Sequence, residues 1–269
     1  MTELLNMFSY SFIQRAAVVG ILVSLCAALL GVSLVLKRYS MIGDGLSHVG
    51  FGALAIAASL NLAPLAVAVP TVIIAAVFLL RLSQNSKIKG DAAIAIISSS
   101  SLAIGVISVS ITTGMNTEIS SYMFGSILSL SSSDAVLSVL LSVAVLGLFI
   151  VYYPRIFAVT FDENFSKATG TKTQVYNTLI AVLTAVTVVL GMRMMGALLI
   201  SSLIIFPALS AMRVCKSFKS VVLCSGGISV FCFMVGLVAS YFMETPTGAS
   251  IVAADLIVFG IFSLIGRKK

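Results

Sequence analysis

The chain has 269 residues, of which 59% are hydrophobic and only 9% are charged, and its net charge is +7. A soluble globular domain of this length needs many more polar side chains to cover its surface, so the composition excludes that class. It indicates a polytopic membrane protein, in which the excess of positive charge is expected to mark one side of a bilayer.

Uncharged runs long enough to cross a bilayer recur along the chain, since a helical span needs about 20 apolar residues. The run 49–80 is too long for one span and contains NLAP at 61–64, where a proline behind a polar residue favours a turn between two spans. The remaining runs are 16–36, 92–117, 135–154, 173–192, 194–212, 220–243 and 245–266, the last interrupted only by Asp255.

These runs predict a single all-α domain over residues 1–269, a polytopic bundle of about nine transmembrane helices. The short connection near 192–212 leaves open an arrangement of eight spans with a re-entrant segment. With nine spans, every basic residue except Arg15 and Arg193 falls on one side, which the positive-inside rule assigns to the cytoplasm. We therefore expect an N-terminus outside the cell membrane and a cytoplasmic C-terminus. The five basic clusters are Lys37 and Arg38; Arg81, Lys87 and Lys89; Arg155, Lys167 and Lys172; Arg213, Lys216 and Lys219; and Arg267, Lys268 and Lys269.

The longest predicted cytoplasmic loop spans residues 155–172 and carries a helical pattern of its own that includes Phe161 and Phe165. Such a loop is often functional, and the alternative is a solvated connector. Asp91 and Asp134 stand immediately before apolar runs, where an aspartate caps the first turn of a helix. We therefore predict that both aspartates are helix caps.

Two further charges, Arg193 and Asp255, fall in the predicted outer half of the bilayer. An unpaired charge in hydrocarbon is costly, so such groups are found paired, hydrated or in functional sites. A structural ion pair between Arg193 and Asp255 is the favoured interpretation, and a second ion site is the alternative.

The stretch MIGDGLSHVGFG at 41–52 contains Asp44 and the single histidine of the chain, His48. Residues four apart share one face of a helix, so a carboxylate and an imidazole at this spacing can both reach one divalent ion. The alternatives are a private Asp44–His48 hydrogen bond and a helix cap at Asp44. Glycines around the pair permit a close backbone approach or an interrupted helix, the setting in which transporters build ion sites. These glycines are Gly43, Gly45, Gly50 and Gly52.

Two protein ligands are few for tight binding of a metal ion. A homodimer with its two-fold axis near the pair would supply two aspartates and two histidines, a ligand set suited to zinc or manganese. We therefore predict Asp44 and His48 as ligands of a transported divalent ion, with no resident cofactor. The chain has no G-x-x-x-x-G-K-[ST] phosphate-binding motif, no placed nucleophile and no contiguous basic face. Without the phosphate-binding motif, ATP hydrolysis by the chain itself is excluded. Without a placed nucleophile we predict no catalytic residue, and without a basic face we expect no nucleic-acid partner.

Four stretches of the sequence resemble those of one known family. RYSMIGDGLSHVGFGALAIA, which contains Asp44 and His48, resembles the signature of the permease subunits of zinc- and manganese-type ABC importers. GALLISSLIIFPALSA at 196–211, TFDENFSKATG at 160–170 and PTGASIV at 246–252 resemble three further family stretches in the expected order. The chain departs from the family pattern at Gly45, where alanine or threonine is common.

The resemblance implies a homodimeric permease, with a second copy of the chain and two cytoplasmic ATP-binding cassette subunits beneath it. It also implies an extracytoplasmic metal-binding protein that delivers the ion, and Asp44 and His48 as ligands along the pathway. The segment 155–172 is then expected to dock on the ATPase. Zinc is favoured over manganese by general similarity alone.

Other functions remain open from the residues. An ABC permease for iron or an iron chelate would need a wide pore without a ligating pair. An ion-coupled secondary transporter would use Asp44 and His48 as a proton relay and need no ATPase. A membrane scaffold without transport would use the pair for stability only.

Overall fold

The computed structural model describes residues 7, 9–85, 90–112, 122–125, 131–197 and 199–266. Eleven helices account for almost all of these residues, and no β-strand occurs among them. In chain order the helices are α1 (Ser11–Leu36), α2 (Met41–Ser59), α3 (Pro64–Asn85), α4 (Gly90–Thr112), α5 (Ser132–Val151), α6 (Tyr153–Phe161), α7 (Glu163–Ala168), α8 (Thr173–Met195), α9 (Ile200–Val214), α10 (Phe218–Met243) and α11 (Thr247–Gly266).

Eight helices in the described part of the chain are long and apolar enough to cross a membrane: α1 to α5, α8, α10 and α11. Helix α9 is apolar but has only 15 residues. That length corresponds to about 22 Å, which is short of a hydrocarbon core of about 30 Å. The predicted all-α polytopic bundle of eight to nine spans is therefore confirmed, and its weakest predicted span is the short helix α9.

The predicted turn at 61–64 separates α2 from α3, as expected for the long run 49–80. Asn61 has a positive φ of 53° at this turn, a conformation that asparagine tolerates better than most residues. The predicted span 92–117 corresponds to α4, although residues 113–117 lie outside the described residues. Five of the basic residues in the predicted clusters also lie outside them: Lys87, Lys89, Arg267, Lys268 and Lys269.

Helices α1, α2 and α8 form the interior of the bundle, whereas α4, α5 and α11 are peripheral. Helix α2 packs against α3, α4, α8 and α9, while α1 packs against α5, α8, α9 and α10. The contact between α2 and α4 is especially close, because a Cβ placed on Gly52 would lie 2.6 Å from the carbonyl oxygen of Ser101. Helix α2 is therefore held from several sides, and its position is fixed by backbone-to-backbone packing.

The predicted docking segment folds into two short helices, α6 and α7. The side chain of Asp162 caps α7, its Oδ1 accepting a hydrogen bond of 2.8 Å from the backbone amide of Phe165. Phe161 and Phe165 are 62% and 66% exposed, respectively. The predicted helical pattern of 155–172 is confirmed, and it presents aromatic side chains outward.

The predicted ion pair between Arg193 and Asp255 is wrong. Arg193 Nη2 lies 2.6 Å from Oδ2 of Asp134, and the Arg193 guanidinium also stacks over the Tyr122 ring at 5.6 Å. Asp255 lies buried on α11, where its carboxylate faces the Cys232 thiol of α10 and makes no ion pair among the described residues. Both residues lie within long apolar helices, on faces that the sequence pattern does not distinguish.

The prediction that Asp134 caps a helix is also wrong. Ser131 is the N-cap of α5, and its side chain accepts a hydrogen bond from the backbone amide of Asp134. The Asp134 carboxylate is thereby free to pair with Arg193. Asp91 lies in the first turn of α4, directly after the first helical residue.

Candidate metal centre

Asp44 and His48 lie on the same face of α2, which is a continuous helix from Met41 to Ser59. The His48 Nε2 atom lies 3.8 Å from Oδ2 of Asp44. The His48 side chain is 15% exposed and that of Asp44 is 37% exposed. The predicted arrangement of the two side chains, one helical turn apart, is thus present in the structure.

Asp44 and His48 lie on an open stripe of a helix that is otherwise buried in this region. Between Met41 and Ala55, every residue of α2 is buried except Met41, Asp44 and His48. These three residues are spaced by three and four positions, so they line one face of the helix. The two ionisable groups therefore face the one open side of α2.

The separation of the two ligand atoms suits a shared ion better than a private hydrogen bond. A distance of 3.8 Å exceeds the range of a hydrogen bond between nitrogen and oxygen. Two ligands that each lie about 2.1 Å from a common zinc ion can be at most about 4.2 Å apart. The observed separation is therefore wide enough to admit an ion and short enough for both groups to bind it.

The hydrogen bonds around the pair leave its ligand atoms available. The N-cap position of α2 is occupied by Ser40, so Asp44 is not the cap. The Ser47 hydroxyl donates to the backbone carbonyl of Asp44 at 2.7 Å and does not engage the carboxylate. The His48 Nδ1 atom is buried without a hydrogen-bond partner among the described residues.

The glycines around the pair serve close packing and do not interrupt the helix. A Cβ on Gly45 would lie 2.7 Å from the side chain of Ile94 on α4. A Cβ on Gly50 would lie 2.6 Å from the sulfur of Met192 on α8. Of the two glycine roles in the sequence interpretation, close approach is therefore present, and the interrupted helix is wrong because α2 is continuous.

The described part of a single copy brings only two metal-ligating side chains together at this site. No group of three or more histidine, cysteine, aspartate or glutamate side chains that could hold a metal ion occurs within the described residues. A metal ion at Asp44 and His48 would thus need further ligands from water, from a partner or from a second copy.

The sequence did not indicate a buried lysine that links α1 to the docking segment. Lys37 follows the last residue of α1, and its side chain is 7% exposed. Its Nζ donates to the carbonyl oxygen of Val159 at 3.0 Å and lies 3.2 Å from Oε2 of Glu163. Only the tertiary fold reveals this contact, because Lys37 and Glu163 are 126 positions apart in the sequence.

The protonation of this ion pair is set by burial and by mutual attraction. Burial lowers the pKa of the Lys37 ammonium, although the Glu163 carboxylate acts in the opposite direction. Burial raises the pKa of Glu163, but the Asn177 amide and the Lys37 and Lys167 ammonium groups outweigh it and lower that pKa overall. The Lys37 ammonium and the Glu163 carboxylate each favour the charged form of the other, and their charge-assisted contact joins the docking segment to α1.

Comparison with known proteins identifies relatives over nearly the whole chain. The model of the ABC 3 transport family matches residues 9–266. The manganese import system permease protein ScaB of Streptococcus gordonii is 27% identical over 264 residues, which cover 98% of this chain and 95% of ScaB. The high-affinity zinc uptake system membrane protein ZnuB of Haemophilus influenzae is 29% identical over 260 residues, which cover 97% of this chain and 99% of ZnuB.

A solved structure shows the same architecture. The structure of PsaBC from Streptococcus pneumoniae in complex with Fab superimposes with a TM-score of 0.86 at 29% identity, covering 96% of this chain and 92% of that chain. The long apolar helices and these relatives make the protein a multi-pass protein of the plasma membrane. The chain belongs to the ABC 3 transport family and is a permease subunit of a metal ABC transporter, a component that works with an ATP-binding subunit and a substrate-binding protein.

Proposed function

We propose that the chain is the permease of an ATP-driven importer of divalent transition metal ions, with zinc favoured and manganese next. The ion passes the pair formed by Asp44 and His48. The observation that carries this proposal is the open stripe on α2, where the two ionisable side chains are the only polar groups between Met41 and Ala55 that are not buried. Relatives named for manganese import and for zinc uptake support this choice of cargo.

We infer that the site is completed by a second copy of the chain. The Asp44 carboxylate is more than one third exposed in the single copy, so its open side is free to meet a partner. Across a two-fold axis near this face, two carboxylates and two imidazoles would form a site of four nitrogen and oxygen ligands. Such a ligand set suits zinc, and its carboxylates tolerate manganese.

Transport by this arrangement requires alternating access. ATP binding and hydrolysis on the cytoplasmic partner would move the docking segment of α6 and α7, with the N-terminus of the chain outside and the C-terminus in the cytoplasm. The movement would shift the helices around the ion site. A ligand set that is complete only while the two copies are close together would release the ion when they move apart, whereas a permanently closed cage would retain it. A proton on His48 Nε2 would compete with the ion, because the same lone pair is needed for both.

Two other functions fit the fold less well. A permease for an iron chelate would have no use for a carboxylate and an imidazole that lie 3.8 Å apart on the open face of α2. A secondary transporter with a proton relay would work without an ATP-binding subunit, in contrast to the family to which the chain belongs.

Uptake of radioactive zinc and manganese into proteoliposomes tests the proposal. The permease is reconstituted with its ATP-binding subunit, and the wild type is compared with a variant carrying Asp44→Asn and His48→Ala. We expect the variant to lose at least about tenfold in uptake rate, since each lost ligand weakens a charge-dependent contact by more than about 1.4 kcal/mol. The wild-type rate should be higher for zinc than for manganese.

The matched control is Asp91→Asn, which removes an exposed carboxylate from the first turn of α4 and should leave uptake unchanged. Undiminished uptake in the Asp44 and His48 variant would reject the ion site. Uptake by the wild type without ATP would instead support the secondary transporter.

A further inference from the structure

An apolar groove runs along the side of the bundle between α1, α5 and α10. Its volume is about 630 Å³, and apolar side chains such as Leu29, Phe149 and Leu223 form most of its lining. Tyr153 and Lys219 lie at one end of the groove, where α5 finishes and α10 begins. Lys219 is exposed, so its ammonium group is available at this end.

The dimensions of the groove match one leaflet of a bilayer. Along α10 it extends from Lys219 to Gly227, which corresponds to about 12 Å at 1.5 Å per residue. One leaflet of a hydrocarbon core is about 15 Å thick. The exposed side chains of Ile150 and Leu223, at 68% and 67%, belong to the same surface and indicate that the groove opens toward the lipid.

Glycines create the space in the groove. A Cβ on Gly227 would meet no atom within 4 Å, and a Cβ on Gly226 would touch only Leu25, at 3.4 Å. The groove therefore exists because two consecutive positions of α10 carry no side chain. An empty groove would forfeit dispersion contacts on its walls, so an apolar occupant stabilises it.

We propose that this groove binds one acyl chain of an anionic phospholipid, whose phosphate pairs with Lys219. The positive-inside prediction places Lys219 on the cytoplasmic side, where the surface of the membrane is negatively charged. The charge of Lys219 and the apolar lining together fit a lipid with one anionic head group, whereas the apolar lining would not fit a polar solute. The groove lies away from Asp44 and His48, because α5 and α10 are not among the helices that pack extensively against α2.

The proposed lipid also touches the origin of the docking segment. Tyr153 and Pro154 line the groove and are the first two residues of α6, the first helix of the docking segment. A bound lipid would therefore support the joint between a membrane-spanning helix and the segment that faces the ATPase.

Native mass spectrometry of the permease bound to its ATP-binding subunit tests the proposal. The complex is titrated with phosphatidylglycerol and with phosphatidylcholine of identical acyl chains, and bound lipid is counted for each. We expect the wild type to prefer phosphatidylglycerol by about fivefold, the factor expected for one basic residue near an anionic lipid. Equal binding of the two lipids would overturn the proposal.

Two variants with matched controls separate the apolar part from the charge. Gly227→Leu should fill the groove and abolish the retained lipid, whereas Gly260→Leu should not, although its Cβ also meets no atom within 4 Å. Lys219→Gln should lose only the preference for phosphatidylglycerol, and Lys216→Gln should keep it. The melting temperature without added lipid shows that each variant is folded.

Three outcomes would contradict the proposal. The first is lipid binding by Gly227→Leu at the wild-type level, and the second is an unchanged preference in Lys219→Gln. The third is a Gly227→Leu variant that becomes monomeric while its lipid binding is unchanged, which would assign the groove to a second copy of the chain. Failure of metal uptake in the Asp44 and His48 variant bears on none of these measurements, so the two proposals stand or fall separately.

Discussion

At the scale of the residue, three carboxylates of the membrane domain have three different environments. Asp44 faces the open side of α2, Asp134 pairs with Arg193, and Asp255 is buried on α11 without an ion pair among the described residues. The sequence predicted the relation of Asp44 to His48 because four positions on one helix fix their geometry. It did not predict the partner of Arg193, because Asp134 is 59 positions away and only tertiary packing brings the two together.

The ion pair of Arg193 is expected to stabilise the fold. The Arg193 side chain is 7% exposed and that of Asp134 is 20% exposed, so the pair is poorly screened by water. Asp134→Asn removes the charge that faces the guanidinium, and we expect a loss of about 3 kcal/mol in the free energy of unfolding. Thermal unfolding of the purified protein in detergent would show this as a lower melting temperature.

Asp255→Asn is the matched control for that substitution. It also replaces an aspartate by asparagine, but the Asp255 carboxylate contacts only the weak Cys232 thiol donor and has no ion pair among the described residues, so the cost of burying a charge is removed. We expect a melting temperature equal to that of the wild type or higher. A decrease as large as that of Asp134→Asn would show that the Asp255 carboxylate has a stabilising partner.

At the scale of the element, helix α2 combines an unbroken backbone with unusually close neighbours. The glycines on α2 were interpreted from the sequence as a sign of close approach or of interruption, and the contact at Gly52 shows the first. A sequence cannot separate these roles, because glycine permits both and the choice depends on which helix lies opposite. The docking segment was better determined, since its capping aspartate and aromatic residues are local signals.

Gly52→Ala is expected to separate α2 from α4. The new Cβ would lie 2.6 Å from the carbonyl oxygen of Ser101, a backbone atom that cannot rotate away. We expect a loss of about 2 kcal/mol in the free energy of unfolding, as for other overpacked interiors. The measurement is thermal unfolding in detergent, with metal uptake as a second readout because the Asp44–His48 stripe lies on the displaced helix.

Gly147→Ala is the matched control on α5, where a Cβ meets no atom within 4 Å. It should leave the stability unchanged or raise it by up to about 1 kcal/mol, since alanine favours a helix over glycine. Equal effects of the two substitutions would show that the spacing between α2 and α4 is not limited by Gly52.

The contact between Lys37 and Glu163 predicts a pH dependence of the docking segment. The pKa of Glu163 lies below its ordinary value of 4.5. The contribution of the Glu163 carboxylate to stability is therefore complete above about pH 4.5 and is lost as the pH falls through the lowered pKa. Glu163→Gln should therefore lower the melting temperature at pH 7, and the difference from the wild type should disappear in acid. A difference that is independent of pH would contradict this assignment.

At the scale of the whole molecule, the sequence was sufficient for the class of fold and for most of its helices. Long uncharged runs separated by polar turns predict spans directly, because the bilayer fixes their length. The region of α9 was predicted as a ninth span or as a re-entrant segment, since hydropathy reports what is apolar and not how far a helix extends. The groove beside α5 and α10 was not predictable, because it arises from three helices that are distant in the sequence.

The small number of ligands around Asp44 has a consequence for how the transporter selects its metal ion. A conduit that holds its cargo with one acid and one imidazole from each copy, as proposed here, would favour zinc over manganese without excluding other doubly charged cations of similar size. The stricter selection would then take place before the cargo reaches the membrane, in the protein that captures and hands over the ion. Replacing that extracytoplasmic protein would therefore change which metal ion is imported, with no change in the permease itself.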